Sequence, residues 1–377
     1  MIIKFFPMCF KDRFFVPHAT LTLVFLKQKI NAITSKTLNS DRFWLTPDRF
    51  PAKLSLEYYA EPIWMNDTLA AADSIVATRP SAPVKDFFLS LRPYQWSKNL
   101  VIFAALVFAK ELGDVHQILI SVCAFLVFCI LSGAVYMLND VVDYEKDRFH
   151  PIKKDRPIAS GRLSRSFAAV AGVTLYLLAL LLAYFLNPGF FQIALMYSLV
   201  TIGYTYYFKN VAILDVMAIS IGFVLRAIAG GVVLGVEASF WLLLCTFLLA
   251  LFLALSKRRH ELVLLSEDAT KHRTNLAEYS PYLLDQMIGV VTASCFLAYT
   301  LYTVSEETVA KFHTDKLSFT VPFVIFGIFR YLYLIHQKNE GGNPSVHLYS
   351  DRPLLISIIL WVLVCVGIIY SAQLPRL

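Results

Sequence analysis

Residues 115–137 read VHQILISVCAFLVFCILSGAVYM, and residues 138–162 continue as LNDVVDYEKDRFHPIKKDRPIASGR before a second apolar block opens at 167–186. A dense group of acids and bases held between two bilayer-length apolar runs marks a site at a membrane surface. Asp140, Asp143 and Asp147 are spaced three and four apart, which sets them on one face of a helix with Asn139 beside them. Three carboxylates so placed repel one another unless a cation lies among them. Mg²⁺ suits the pattern, with Mn²⁺ as the alternative, because it takes one or two carboxylates, waters and the oxygens of a substrate phosphate. Arg148, Lys153, Lys154, Arg156 and Arg162 then supply fixed positive charge. Pro151 and Pro157 stiffen this run and Gly161 closes it, as a phosphate-binding loop requires. Acids for a metal followed by bases for phosphate imply a diphosphate-handling site.

The rest of the chain agrees with a membrane setting. Of 377 residues 57% are hydrophobic and only 16% charged, where a soluble domain carries about 25% charged residues; the mean hydropathy is +0.60. Nine apolar blocks approach spanning length, at about 97–112, 115–137, 167–186, 190–208, 213–235, 238–256, 286–304, 318–336 and 353–373. The expected fold is an all-α polytopic bundle of nine transmembrane helices, with the site in a cavity at one end. The connections 138–166 and 257–285 hold seven and five Lys or Arg residues, whereas the turns at 187–189 and 236–237 hold none. The positive-inside rule puts both charged connections, the site and the N-terminus in the cytoplasm. The net charge of +7 is then a topology signal rather than a nucleic-acid footprint. Five of six cysteines fall in apolar blocks without metal-ligand spacing, so zinc, iron–sulfur clusters and disulfides are not expected.

Residues 1–84 show no sustained period and read as a mobile extension or a start placed too early, ahead of a transmembrane domain over 85–377. The apolar run 14–26 is interrupted by Pro17 and His18 and lacks a clear cleavage site. Asp86–Arg92 has the spacing of a short interfacial helix. Further along, Lys98 has two readings: snorkelling, or contact with an anionic substrate. Asp215 and Arg226 are eleven residues apart on one helical face, and Arg226 lies mid-span, where it needs a polar partner or an anion. Tyr204 and Lys209 close the fourth block near the same end, where tyrosines also serve as interface anchors. The two charged connections occupy comparable places, suggesting two helical halves around a shared cavity.

These stretches resemble a known family. Asn139-Asp140-x-x-Asp143-x-x-x-Asp147 is similar to the first Asp-rich motif of the UbiA-type membrane prenyltransferases, over roughly 85–377. RPYQWSKN (92–99), NDVVDYEKDRFHPIKKDRPIASG (139–161) and LDVMAISIGFVLRAIAGG (214–231) resemble the branch that phosphoribosylates decaprenyl phosphate. The second Asp-rich motif, DxxxD, is missing; that connection begins SKRRHE (256–261), with Asp268 and His272 further on. The resemblance implies Mg²⁺-dependent transfer of phosphoribose from phosphoribosyl diphosphate to a polyprenyl phosphate, in the bacterial inner membrane. It implies Asn139, Asp140, Asp143 and Asp147 as metal ligands, and Lys153, Lys154 and Arg156 on phosphate oxygens. Lys257, Arg258 and Glu261 would take the 5-phosphate or ribose hydroxyls, and Lys98, Lys209 and Arg226 the lipid phosphate. A homo-oligomer is compatible with the chain. Two alternatives remain: a prenyltransferase joining a prenyl diphosphate to an aromatic or other acceptor, and a transporter of phosphorylated metabolites, for which Gly230-Gly231 is the one hint.

Overall fold

The computed structural model describes residues 83–149, 153–265, 274–338, 346 and 350–371. The expected extension over 1–84 lies outside these except for its last two positions, as do His150, Pro151, Asp268 and His272. Among the described residues every regular element is helical. The chain runs through α1 (Pro83–Ser90), a 3₁₀ stretch (Pro93–Ile102), α2 (Phe103–Phe108), α3 (Val115–Val142) and α4 (Tyr144–Arg148). It continues with α5 (Arg165–Leu186), α6 (Pro188–Tyr206), α7 (Leu214–Leu234) and α8 (Phe240–Leu265). The last part holds α9 (Pro281–Val304), α10 (Glu306–Phe312), α11 (Val321–Gln337) and α12 (Arg352–Ser371).

Local chemistry sets the ends. The Asp114 carboxylate accepts from His116 N at 2.8 Å to open α3, and Ser164 Oγ accepts from Phe167 N at 3.1 Å to open α5. Asn187 caps α6 ahead of Pro188, whose missing N–H costs nothing in a first turn. Gly235, at φ 68°, closes α7 in the left-handed conformation.

Among the described residues seven helices are long and apolar enough to cross a membrane: Val115–Val142, Arg165–Leu186, Leu214–Leu234, Phe240–Val263, Pro281–Val304, Lys316–Gln337 and Arg352–Ser371. Two of the nine expected blocks differ. The block at 97–112 is a 3₁₀ stretch running into the short α2, and the block at 190–208 is α6, which is less apolar than these seven. The polar residues that dilute α6 include Tyr197, Tyr204 and Thr205, each of which bonds a site residue described below.

Among the described residues the two largest apolar clusters lie on either side of α7. One gathers α2, α3, α5, α6 and α7 around Phe128, Phe190 and Leu131; the other gathers α7, α8, α9, α11 and α12 around Phe252, Leu255 and Leu284. Helix α7 serves both, and 61% of its most apolar stretch is buried against 17% for α5 and 22% for α12. The two halves read from the charged connections therefore share a central helix. Gly230 explains the close approach there, since a Cβ would lie 2.2 Å from Ile102 O. Gly230 thus packs α7 against 3₁₀ backbone and Gly231 lies against Val236 and Ala238, inside an unbroken helix. Gly230→Ala is expected to cost about 1–3 kcal/mol through forced backbone shifts, read as a lower thermal midpoint in detergent; an unchanged midpoint would contradict this packing.

Candidate active site

The acid-rich stretch does not form one continuous helix. Helix α3 ends at Val142 and Asp143 takes φ −84°, ψ 8° before α4 begins. The interruption splits the three aspartates expected on one face. Asp140 and Asp147, 4% and 2% exposed, come together across Arg156, whose Nη1 lies 2.9 Å from Asp140 Oδ1 and 2.6 Å from Asp147 Oδ2. Asp143 turns to Lys209 instead, with Nζ 3.9 Å from Oδ2. Asn139 Oδ1 accepts from Thr205 Oγ1 on α6 at 3.2 Å. Lys153 Nζ stands 3.8 Å from Asp147 Oδ1. Arg148 and Lys154 are exposed, and Arg148 lies over the Tyr144 ring at 5.6 Å.

Sequence reasoning missed Arg92. Its Nη2 donates to Asp140 Oδ1 at 2.5 Å, its guanidinium stacks 4.9 Å from the Tyr136 ring, and its backbone takes φ 53°. That conformation is costly outside glycine. It turns the chain from α1 into the 3₁₀ stretch, so that Lys98 enters the bundle. Pro93 following a turn was the one available signal.

Deeper in, Arg226 on α7 is 4% exposed. Its Nε donates to Asn99 Oδ1 at 2.8 Å, its Nη2 to Tyr197 OH at 2.8 Å and its Nη1 to Gly222 O at 3.0 Å. All three partners are neutral. The Asp215 carboxylate on the same helix, the obvious candidate for an ion pair, goes elsewhere. Lys98 lies within electrostatic reach of Arg226, Arg92 and Lys257, and no described residue bonds its ammonium. Positive charge without a matching acid is thus enclosed among α3, α6, α7 and the 3₁₀ stretch.

The second charged segment also departs from expectation. Lys257–Glu261 belong to α8 rather than to a loop. Arg258, expected to meet substrate, is only 1% exposed because it faces inward: Nε donates to Asp215 Oδ2 at 2.7 Å, Nη1 to Glu261 Oε2 at 2.5 Å and Nη2 to Tyr204 OH at 3.2 Å. Tyr279 OH donates to Asp215 Oδ1 at 2.9 Å and accepts from Ile213 N at 2.6 Å. Burial, reinforced by the Asp215 charge, pushes the Tyr279 phenol up to about 12, so it remains a neutral donor. Arg258 therefore clamps α7 to α8 and orients Glu261, which stays part-exposed beside Lys257, 3.7 Å away. Arg258→Met should lower stability by about 3–5 kcal/mol, because Asp215 would be left charged and buried. Asp215→Leu combined with Arg258→Met should recover much of that in thermal melts; a double variant no better than the single would contradict the clamp.

Oxygen donors from two enclosed aspartates, with Asn139 adjacent, are the donor set a hard cation such as Mg²⁺ takes. Among the described residues no group of three or more acidic, His or Cys side chains converges on one point. A small cleft at the opposite end, among Phe108, Val236, Tyr302 and Phe312, is remote from these residues.

The bundle thus carries buried acids at one end and, deeper in, cations without an acidic partner among the described residues. The chain belongs to the UbiA prenyltransferase family, matching it over residues 100–348. It is 32% identical over 309 residues to a decaprenyl-phosphate phosphoribosyltransferase of Corynebacterium glutamicum, spanning 80% of this chain and 92% of that one. A decaprenyl-phosphate phosphoribosyltransferase of Mycolicibacterium smegmatis is 30% identical over 75% of this chain and 92% of its own. A UbiA homolog from Archaeoglobus fulgidus, solved with GPP and Mg²⁺, superposes with a TM-score of 0.57 at 16% identity, covering 76% of this chain and 99% of that one.

Proposed function

We propose that this protein transfers 5-phosphoribose from phosphoribosyl diphosphate to a polyprenyl phosphate and releases pyrophosphate. The observation that carries the reading is the enclosed, uncompensated charge of Lys98 and Arg226 beside the buried pair Asp140–Asp147. One subsite suits a metal-bound diphosphate and the other a second phosphate. Two relatives that match 80% and 75% of this chain are named decaprenyl-phosphate phosphoribosyltransferases.

Asp140 and Asp147 would hold Mg²⁺, with Asn139 beside them supplying a further oxygen, while Asp143, turned to Lys209, stays outside this set. When bound, the ion neutralises charge that grows on the departing pyrophosphate. Lys153 and Arg156 grip diphosphate oxygens, the arginine with its fork. Lys257 takes the 5-phosphate while Glu261, oriented by Arg258, accepts from a ribose hydroxyl. Lys98 and Arg226 hold the acceptor phosphate, and Lys209 and Tyr204 border it. An oxygen of that phosphate attacks the anomeric carbon, and the carbon–oxygen bond to the diphosphate breaks with its electrons leaving on pyrophosphate. A phosphate monoester is already anionic, so the step needs no strong base.

We also take α6 and the broken segment Pro93–Phe108 as crossings, for nine in all. Successive crossings then alternate in direction, and the acid end lies in the cytoplasm, as the charged connections require.

Three mixtures test the reaction. Pyrophosphate should appear when purified protein meets phosphoribosyl diphosphate, Mg²⁺ and polyprenyl phosphate together, and not when the lipid phosphate is left out. Release only from a prenyl diphosphate with a non-lipid acceptor would overturn the reading in favour of prenyl transfer. Movement of phosphoribosyl diphosphate into vesicles without release would overturn it in favour of transport.

A further inference from the structure

Arg156 sets one nitrogen against both enclosed carboxylates, 2.9 Å from Asp140 and 2.6 Å from Asp147. Two buried like charges need such a bridge, since neither is solvated and each raises the cost of ionising the other. A divalent ion ligated by both carboxylates, with metal–oxygen distances of about 2.1 Å for Mg²⁺, needs the ground that Nη1 occupies. The two cations are therefore mutually exclusive.

The neighbouring contacts show which cation yields. Among the described residues the Arg156 guanidinium has no partner besides these two aspartates, and its side chain is 29% exposed. Its loop is fixed independently: Arg162 Nε donates to Asp86 Oδ1 at 3.0 Å and Arg162 Nη2 to Asp155 O at 2.8 Å. The guanidinium is thus free to swing while the backbone stays. Arg92, by contrast, is held over Tyr136 and is 15% exposed, so it keeps its bond to Asp140.

Resting on the reading of the site given above, we propose that Arg156 is the resident counter-ion of the acid pair, displaced when metal and donor arrive and passed to the donor's diphosphate. The side chain then couples the two ligands. Metal alone must compete with the guanidinium, whereas metal arriving with diphosphate gives the guanidinium a new anionic partner. Binding of metal and donor is positively cooperative through this one residue.

The test is Mn²⁺ binding to the detergent-purified full chain without turnover, read from the paramagnetic signal of the free ion, with and without phosphoribosyl diphosphate. Arg156→Gln should bind Mn²⁺ alone at least about fivefold more tightly than the unaltered protein, the scale of ordinary coupling between ligands. In that variant, phosphoribosyl diphosphate should tighten Mn²⁺ binding far less than it does in the unaltered protein. Equal or weaker Mn²⁺ binding by a folded Arg156→Gln overturns the inference while leaving the site's assignment standing. No Mn²⁺ binding by the unaltered protein, even with donor present, overturns the assignment and the inference together. Should Arg156→Gln fail to fold, Arg156→Lys carries the test: its unforked head should hold the pair less well and Mn²⁺ should bind more tightly, and unchanged binding overturns the inference.

Discussion

Asp140→Asn is expected to lower phosphoribosyl transfer by about 10²–10³-fold, the scale seen when one preorganised electrostatic contact is lost from an active site. The substitution keeps the shape of the side chain and an oxygen to accept from Arg92 and Arg156, so the fold should survive. What it removes is the negative charge that the proposed divalent ion would need at the end of α3. A thermal midpoint close to that of the unaltered protein, together with the loss of rate, would separate chemistry from stability. Full activity in this variant would remove Asp140 from the metal site. Asp147→Asn should behave alike. Asp143→Asn should cost less, because Asp143 faces Lys209 and stands apart from the bridged pair.

Arg226→Leu should act on a different quantity. A charge in mid-span costs about 2.5–3.5 kcal/mol on insertion scales, so leucine should enter the membrane at least as readily. The variant should bind polyprenyl phosphate about 10–100-fold more weakly, as expected for a lost charge-assisted contact of about 1.5–3 kcal/mol. Its affinity for phosphoribosyl diphosphate should change little. Such a split between the two KM values distinguishes an acceptor-phosphate ligand from a residue that merely braces α7 against Asn99 and Tyr197. Unchanged acceptor kinetics would make Arg226 structural.

The acid and base content of 139–161 was legible because so much charge packed between apolar spans must serve either topology or a site. Lys98 and Arg226 were legible because a cation within an apolar run is costly unless an anion or a polar partner meets it. Pairings between distant segments were not. Nothing within α7 says that Asp215 will leave Arg226 for Arg258 and Tyr279, since both partners come from elements 43 and 64 residues away. Arg258 shows the limit most sharply. Lys257, Arg258 and Arg259 are interchangeable as text, but each helical step turns a side chain by about 100°. Lys257 accordingly stays part-exposed beside Glu261, Arg258 points into the bundle, and Arg259 reaches Asp285 on α9. The interruption at Asp143 was also hidden, because no proline or glycine marks it. Without that bend, the spacing of the aspartates predicts one carboxylate face; with it, the structure holds a pair and a separate third acid. The same polar residues that weakened α6 as a span, Tyr197, Tyr204 and Thr205, turned out to be the supports of the site.

The most direct measurement follows the ribose. Phosphoribosyl diphosphate labelled in its sugar carbons is mixed with purified protein and a polyprenyl phosphate, and the label is followed into the organic phase. The label should enter the lipid fraction in step with released pyrophosphate, stop when EDTA strips divalent ions, and resume when Mg²⁺ is restored. Label that stays aqueous, or transfer that continues undiminished in EDTA, would contradict the account.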